Sequence, residues 1–245
     1  MLLIHILMYH RFVSLQAITP ENCQLQADKI DIWQFSLNQL LPIFENKLSI
    51  DEQERANRFH FEKHRRRFTA ARATLRIILA SYLACKPEQI VFNYNCHGKP
   101  GISHASGIEF NLSHSGELAL LAVGLSPVGI DLEFFSERPY LGIAKNLFSG
   151  EEYDSLSNLP PDLIQLAFFH IWAQKEAFIK ACGLGLSYPT SQFTVPSLPT
   201  TDQLISDELH NKHWHMLSFM AQPDCCAAVC YEPSIKTLEK IIIEQ

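Results

Sequence analysis

The chain has 245 residues, of which 47% are hydrophobic and 19% charged, with a formal net charge of −6. That balance gives ample core for one large or two small soluble domains and disfavours a general nucleic-acid surface. Seven cysteines without a C-x-x-C pair fit a reducing, cytoplasmic setting better than a disulfide framework.

The opening M-L-L-I-H-I-L-M-Y-H-R is apolar but has neither a basic lead-in nor a small-residue cleavage site. It is too short for a bilayer, so neither a signal peptide nor a membrane helix is expected. An added strand and a poorly ordered leader both stay open there. Alternation over Asp31–Leu37 predicts a strand, and Ser49 opens a short helix reaching Arg58. A long helix over Arg65–Cys85 stops before Pro87. Strands follow at Ile90–Asn95, Glu109–Ser113 and Leu118–Val123, and Pro127 marks a joint.

Beyond it come a strand at Val128–Phe134 and short helices over Tyr140–Phe148 and Glu151–Ser157. A long helix, Asp162–Cys182, is closed by Gly183, and strands are expected at Gln192–Val195, Trp214–Met220 and Cys225–Tyr231. Each part thus runs strand, short helix, long helix, antiparallel strands. The expected fold is α+β: two similar halves, residues 1–126 and 127–245, with a cleft between them.

Several constellations carry chemistry. In G-I-D-L-E, Asp131 and Glu133 lie two apart on a strand and share a face, where their repulsion calls for a cation or a proton. Magnesium suits such oxygen ligands, although a solvated acidic edge strand has the same pattern. F-N-L-S-H-S-G ends a strand at Gly116 with Ser113 and His114 nearby, which suits either a phosphate or a plain hairpin turn. His97-Gly98-Lys99-Pro100 presents a lysine on a turn.

Eight basic residues and one acid, Glu62, fall between Arg55 and Arg76. This local patch fits a small anion better than a polyanion, or it is a solvated face. Of Arg65, Arg66 and Arg67, at most two can address one ligand from a helix. Arg72 and Arg76 repel at i,i+4 unless an acid or anion lies between them. In W-A-Q-K-E-A-F-I-K, Trp172, Glu176 and Lys180 share a helix face, while Lys175 is turned from Glu176. Taken alone, Glu176 and Lys180 would be an ion pair of ~0.3–0.5 kcal/mol. His210, His213 and His215 lack a fourth ligand at zinc-finger spacing.

In order and spacing, G-K-P, F-N-L-S-H-S-G, G-I-D-L-E and W-x-x-K-E-A-x-x-K over residues 98–180 resemble the surfactin-type (Sfp-type) 4'-phosphopantetheinyl transferases. The upstream H-R-R-R-F-T-A-x-R stretch is similar too, closest to cyanobacterial and other bacterial members. The resemblance implies a pseudo-twofold α+β monomer that moves the phosphopantetheine arm of coenzyme A to a serine of an apo acyl or peptidyl carrier protein. Adenosine 3',5'-bisphosphate would leave.

It further implies that Asp131, Glu133 and Glu176 hold Mg2+, with Mn2+ also possible. Glu176 would act as general base and Lys180 would meet the pyrophosphate. Arg67 and His114 would bind the 3'-phosphate with Ser113 nearby, and Lys99 and Pro100 would flank the adenine and ribose. Arg55 and Arg58 stand where some members carry lysines. A catalytically silent coenzyme A or carrier-protein binder is the alternative. Neither nucleic acid nor a membrane is an expected partner.

Overall fold

The computed structural model describes residues 8–44, 46–103, 107–198 and 203–244. The first seven residues of the apolar opening lie outside the described part. Its end is a strand, β1 (Met8–Ser14), followed by β2 (Lys29–Ser36), α1 (Ile50–Asn57) and α2 (Glu62–Tyr82). The hairpin of β3 (Phe92–Tyr94) and β4 (Pro100–Ile102) leads to β5 (Glu109–Ser115) and β6 (Leu118–Gly124). The chain continues through β7 (Val128–Phe134), α3 (Tyr140–Leu147), α4 (Gly150–Ser157) and α5 (Pro161–Cys182). Strands β8 (Gln203–Asp207), β9 (Lys212–Gln222), β10 (Cys225–Tyr231) and β11 (Thr237–Glu244) complete it. This is a mixed α+β fold.

Two main sheets form, in the orders β1-β11-β2-β6-β5 and β7-β10-β9-β8. They face one another across a core that includes Ile32, Leu120, Ile130, Leu132, Val229 and Tyr231. Helix α2 packs on the far side of the first sheet through Leu75, Ile78 and Leu79 against Trp33, Phe35 and Leu121. Helix α5 covers the second through Phe168, Phe178 and Ala181 against Ala228 and Cys230. Strands β6 and β10 are therefore buried on both faces, which explains why L-A-L-L-A-V and C-C-A-A-V-C are apolar throughout. One connection recurs: β2, α2, β5, β6 with β2 beside β6, then β7, α5, β9, β10 with β7 beside β10.

Most predicted elements stand within a few residues of their expected limits. Helix α2 begins earlier and ends earlier than the periodicity suggests, at Glu62 and Tyr82. Gly183 adopts φ 74°, the left-handed closure that glycine permits at a helix end. The strand expected at Gln192–Val195 does not form. A 3-10 turn covers Thr190–Gln192, and the backbone beyond it is captured by a buried ion pair. Lys175 Nζ donates to the carbonyls of Thr190 at 2.5 Å and Phe193 at 2.7 Å, while Val195 N–H donates to Glu152 at 2.8 Å. With those groups engaged, no strand ladder is needed.

Strand β11 was not foreseen. It crosses from the chain's far end to lie parallel between β1 and β2. Glu239 there meets Arg11 at 2.8 Å and also pairs with Lys29, so the insertion is fixed by charge as well as backbone pairing.

Candidate active site

Asp131 and Glu133 project from β7 on the face toward β5, whose alternate residues Asn111, Ser113 and Ser115 bridge the two strands. The Ile130 N–H donates to Asn111 Oδ1 at 2.8 Å, and the Ser113 hydroxyl donates to Asp131 Oδ1 at 2.7 Å. The Ser115 hydroxyl lies 3.3 Å from Glu133 Oε2. Opposite them, α5 presents Trp172, Glu176 and Lys180 on one face, as their four-residue spacing demands. Lys180 Nζ donates to Asp131 Oδ1 at 2.6 Å and to Ser113 Oγ at 2.9 Å. Ser113, Asp131, Glu133, Trp172, Glu176 and Lys180, with Leu147, Phe148 and Thr190, border a cavity of about 680 Å³.

Gly129 makes the convergence possible. A Cβ there would stand 2.0 Å from the Ala177 carbonyl and 2.3 Å from the Ala181 amide nitrogen. Only glycine lets β7 approach the α5 backbone this closely, and that approach brings Lys180 onto Asp131.

Three carboxylates and the Lys180 ammonium thus face one cavity. Burial, then repulsion from Asp131, lifts the Glu133 carboxyl above its ordinary range. Burial also raises Glu176; Lys180 opposes the shift and Asp131 and Glu133 reinforce it. Asp131 Oδ2 is buried and accepts no hydrogen bond from the described residues. An unshared buried carboxylate oxygen beside two acids that repel it is a good fit to a divalent, oxygen-seeking cation.

A second cavity, of about 570 Å³, meets the first at His114, which lines both. Its walls are cationic and aromatic, with Arg55, Arg67 and Arg72 beside Phe59, Tyr94 and Pro100. The cleft around His114, then the nearby Lys180 and Arg67 cations, hold its imidazole below the usual pKa. Arg66 and Arg67 each donate to Glu117 Oε1 at 2.8 Å, and the Arg67 Nε–H is buried without an acceptor among the described residues. The like-charged Arg72 and Arg76 have the acid that their spacing requires. Glu52 Oε1 accepts from Arg72 Nε at 2.8 Å and Glu52 Oε2 from Arg76 Nε at 2.6 Å.

The predicted residues are therefore distributed over two joined cavities. Asp131, Glu133, Glu176, Lys180, Ser113 and His114 border the acidic one; Arg67, Pro100 and His114 border the basic one. Lys99 is turned elsewhere. Its ammonium donates to the Val128 carbonyl at 3.2 Å, and burial lowers its pKa. Nearby, Asn95 Nδ2 donates to the Gly183 carbonyl at 2.8 Å, so this turn ties the β3–β4 hairpin to the end of α5. Arg58 pairs with Glu54 on the surface at 3.7 Å, whereas Arg55 faces the basic cavity. Sequence reasoning left Arg55 beside Arg58, and it missed Tyr94 and Arg72 as cavity residues. A break between α1 and α2 separates Arg55 from Arg67, so no single helical periodicity links them in the sequence.

Known proteins resemble the chain over both of its parts. Residues 127–230 match the model of the 4'-phosphopantetheinyl transferase superfamily, and residues 31–125 match that of the 4'-phosphopantetheinyl transferase N-terminal region. The 4'-phosphopantetheinyl transferase HetI of Nostoc sp. is 39% identical over 218 residues, 86% of this chain and 90% of the relative. A putative 4'-phosphopantetheinyl transferase of Synechocystis sp. is 34% identical over 73% of this chain and 74% of its own length. The transferase Sfp of Bacillus subtilis is 32% identical, over 76% of this chain and 83% of the relative. With both parts of the chain matched and the motif residues gathered around joined cavities, the chain belongs to the 4'-phosphopantetheinyl transferase superfamily.

Proposed function

We propose that the protein transfers the 4'-phosphopantetheine arm of coenzyme A to a serine of an apo acyl or peptidyl carrier protein, releasing adenosine 3',5'-bisphosphate. The observation that carries this reading is the junction at His114 of a basic, aromatic cavity with an acidic one. Coenzyme A has matching parts in matching order: an adenine and 3'-phosphate, then a pyrophosphate, then a long neutral arm. The nucleotide would lie among Arg55, Arg67, Tyr94 and Pro100, with the buried Arg67 N–H supplying a donor for phosphate. The pyrophosphate would sit past His114 toward Lys180, and the arm against Leu147, Phe148 and Trp172.

Asp131, Glu133 and Glu176 would hold magnesium, or manganese in its place. When bound, the ion supplies charge neutralisation at the pyrophosphate. The chain's own groups do the remaining work. Two of the three Lys180 donors are engaged by Asp131 and Ser113, which fixes the ammonium and leaves one for the departing bisphosphate. Glu176, made more basic by burial, would accept the proton of the carrier serine as its oxygen bonds to phosphorus and the bond to the bisphosphate breaks. His114, held neutral, can donate a hydrogen bond without repelling Arg67.

This reading includes two halves, residues 1–126 and 127–245, related by a pseudo-twofold with the site in the cleft between them; the recurring strand–helix–hairpin connection supports it. Strand β11 then crosses back to complete the first half's sheet. A cytoplasmic monomer is proposed, supported by an odd number of cysteines without a C-x-x-C pair, which suits a reducing compartment. The test is incubation with coenzyme A, magnesium and an apo carrier protein, followed by intact-mass measurement. A gain of one phosphopantetheine is expected. No gain with any of several fatty-acid, polyketide and peptide carriers would overturn the assignment.

A further inference from the structure

A separate cluster lies at the far end of α5. Cys182 from that helix, Asp207 from the end of β8 and His210 from the β8–β9 turn bring Sγ, Oδ2 and Nδ1 within 4.8 Å of one another. His210 Nδ1 is 2.8 Å from Asp207 Oδ2, Cys182 Sγ is 3.3 Å from the same oxygen, and the Trp214 Nε1–H donates to it at 3.4 Å. The other carboxylate oxygen is held from outside: the Tyr188 hydroxyl donates to Oδ1 at 2.9 Å, and the His210 backbone N–H lies 3.3 Å from it. Asp207 is buried, while His210 is open to solvent, so the cluster has a fixed floor and an accessible side.

We propose that Cys182, Asp207 and His210 form a second cation site that takes a thiophilic divalent ion of the zinc class. The ligand types decide the class. A thiolate and an imidazole with one carboxylate suit zinc, whereas magnesium and calcium require oxygen throughout. The contacts of Tyr188 and the His210 N–H on Oδ1, and of Trp214 on Oδ2, are what a ligating carboxylate needs, since they orient it and survive when the ion replaces the His210 and Cys182 hydrogen bonds. On binding, the Cys182 thiol proton passes to solvent and the sulfur bonds the ion as thiolate. The Nδ1 proton that His210 shares with Asp207 leaves as the ion enters, one ring proton stays on exposed Nε2, and the freed Nδ1 lone pair ligates. A water completes four-coordination. The zinc-finger spacing that His210, His213 and His215 lack is not required, because the partners come from three elements. Such an ion would clamp the end of α5 two residues past Lys180.

Cobalt(II), a coloured stand-in for zinc, tests this without any activity measurement. Chelator-stripped full-length protein is titrated with Co2+ and its absorption recorded. One ion per chain should produce a thiolate-to-cobalt charge-transfer band, displaced by zinc. The band should be lost in Cys182→Ser, reduced in His210→Ala on the exposed turn, and retained in Asp131→Asn, which alters only the acidic cavity. Circular dichroism checks that each variant folds. Absence of the band in the folded native protein, or its persistence in Cys182→Ser, would show that the cluster is a hydrogen-bond hub alone.

Discussion

Replacing Gly129 with alanine examines how the site is assembled. The added Cβ would fall 2.0 Å from the Ala177 carbonyl oxygen, where real Cβ contacts stay above 3.0 Å, so β7 and α5 must part by about 1 Å. Both elements are locked: α5 is packed on the second sheet, and β7 pairs with β10 along its full length from Val128 to Phe134. Overpacking of a well-filled core costs about 1–3 kcal/mol, and a backbone obstacle on both sides places this change at or beyond the upper end. The same 1 Å separates Glu176 and Lys180 from Asp131, and a misplacement of that size costs about 100-fold in rate. Gly129→Ala should therefore melt several degrees lower and, where still folded, transfer phosphopantetheine about 100-fold more slowly. Thermal unfolding and an intact-mass time course measure both. Native-like melting together with native-like rate would refute the claim that this close approach builds the site.

Other outcomes separate neighbouring residues. Arg55→Ala and Arg67→Ala should each raise KM for coenzyme A about tenfold or more, whereas Arg58→Ala, which only loosens a surface pair with Glu54, should leave it unchanged; the Arg67 effect should shrink with 3'-dephospho-coenzyme A. Lys175→Met strands the buried Glu152 carboxylate and should cost about 3–5 kcal/mol, while Lys175→Met with Glu152→Gln should recover part of it in denaturant unfolding. His170 is fully buried, neither ring nitrogen has a partner among the described residues, and burial lowers its pKa to about 4. Its neutral form is favoured on folding, so below the ordinary pKa of 6.5 the unfolded chain gains protons first. Stability should fall as pH drops from 6.5 toward 4, by about 3 kcal/mol in all. His170→Leu should flatten that segment of the stability–pH curve; an unchanged slope would exclude His170 as its source.

Periodicity made much of the site legible. The two-residue spacing of Asp131 and Glu133 and the four-residue spacing of Trp172, Glu176 and Lys180 fix which way each side chain points, and those faces do meet. Lys175 is turned away from Glu176, as its position requires, and is used elsewhere. What periodicity cannot carry is long-range. Glu152 becomes the partner of Lys175 only when α4 and α5 pack, and that pairing removes the strand expected at Gln192–Val195. The place of β11 depends on β1 and β2, more than two hundred residues away in the chain. Gly129 carries no local signal of its duty, because the reason for a glycine there lies in a helix some fifty residues on. Lys99 shows the same limit: a turn exposes a lysine in sequence, but packing against Gly183 directs its ammonium to the Val128 carbonyl.

Glu176→Gln tests the central claim most directly, because it keeps the shape of the joined cavities and removes the proton acceptor. Calorimetry with coenzyme A and an intact-mass assay with an apo carrier protein should be run on the same preparation. Coenzyme A should still bind, while transfer falls by at least about 100-fold. Transfer at the native rate would contradict the account.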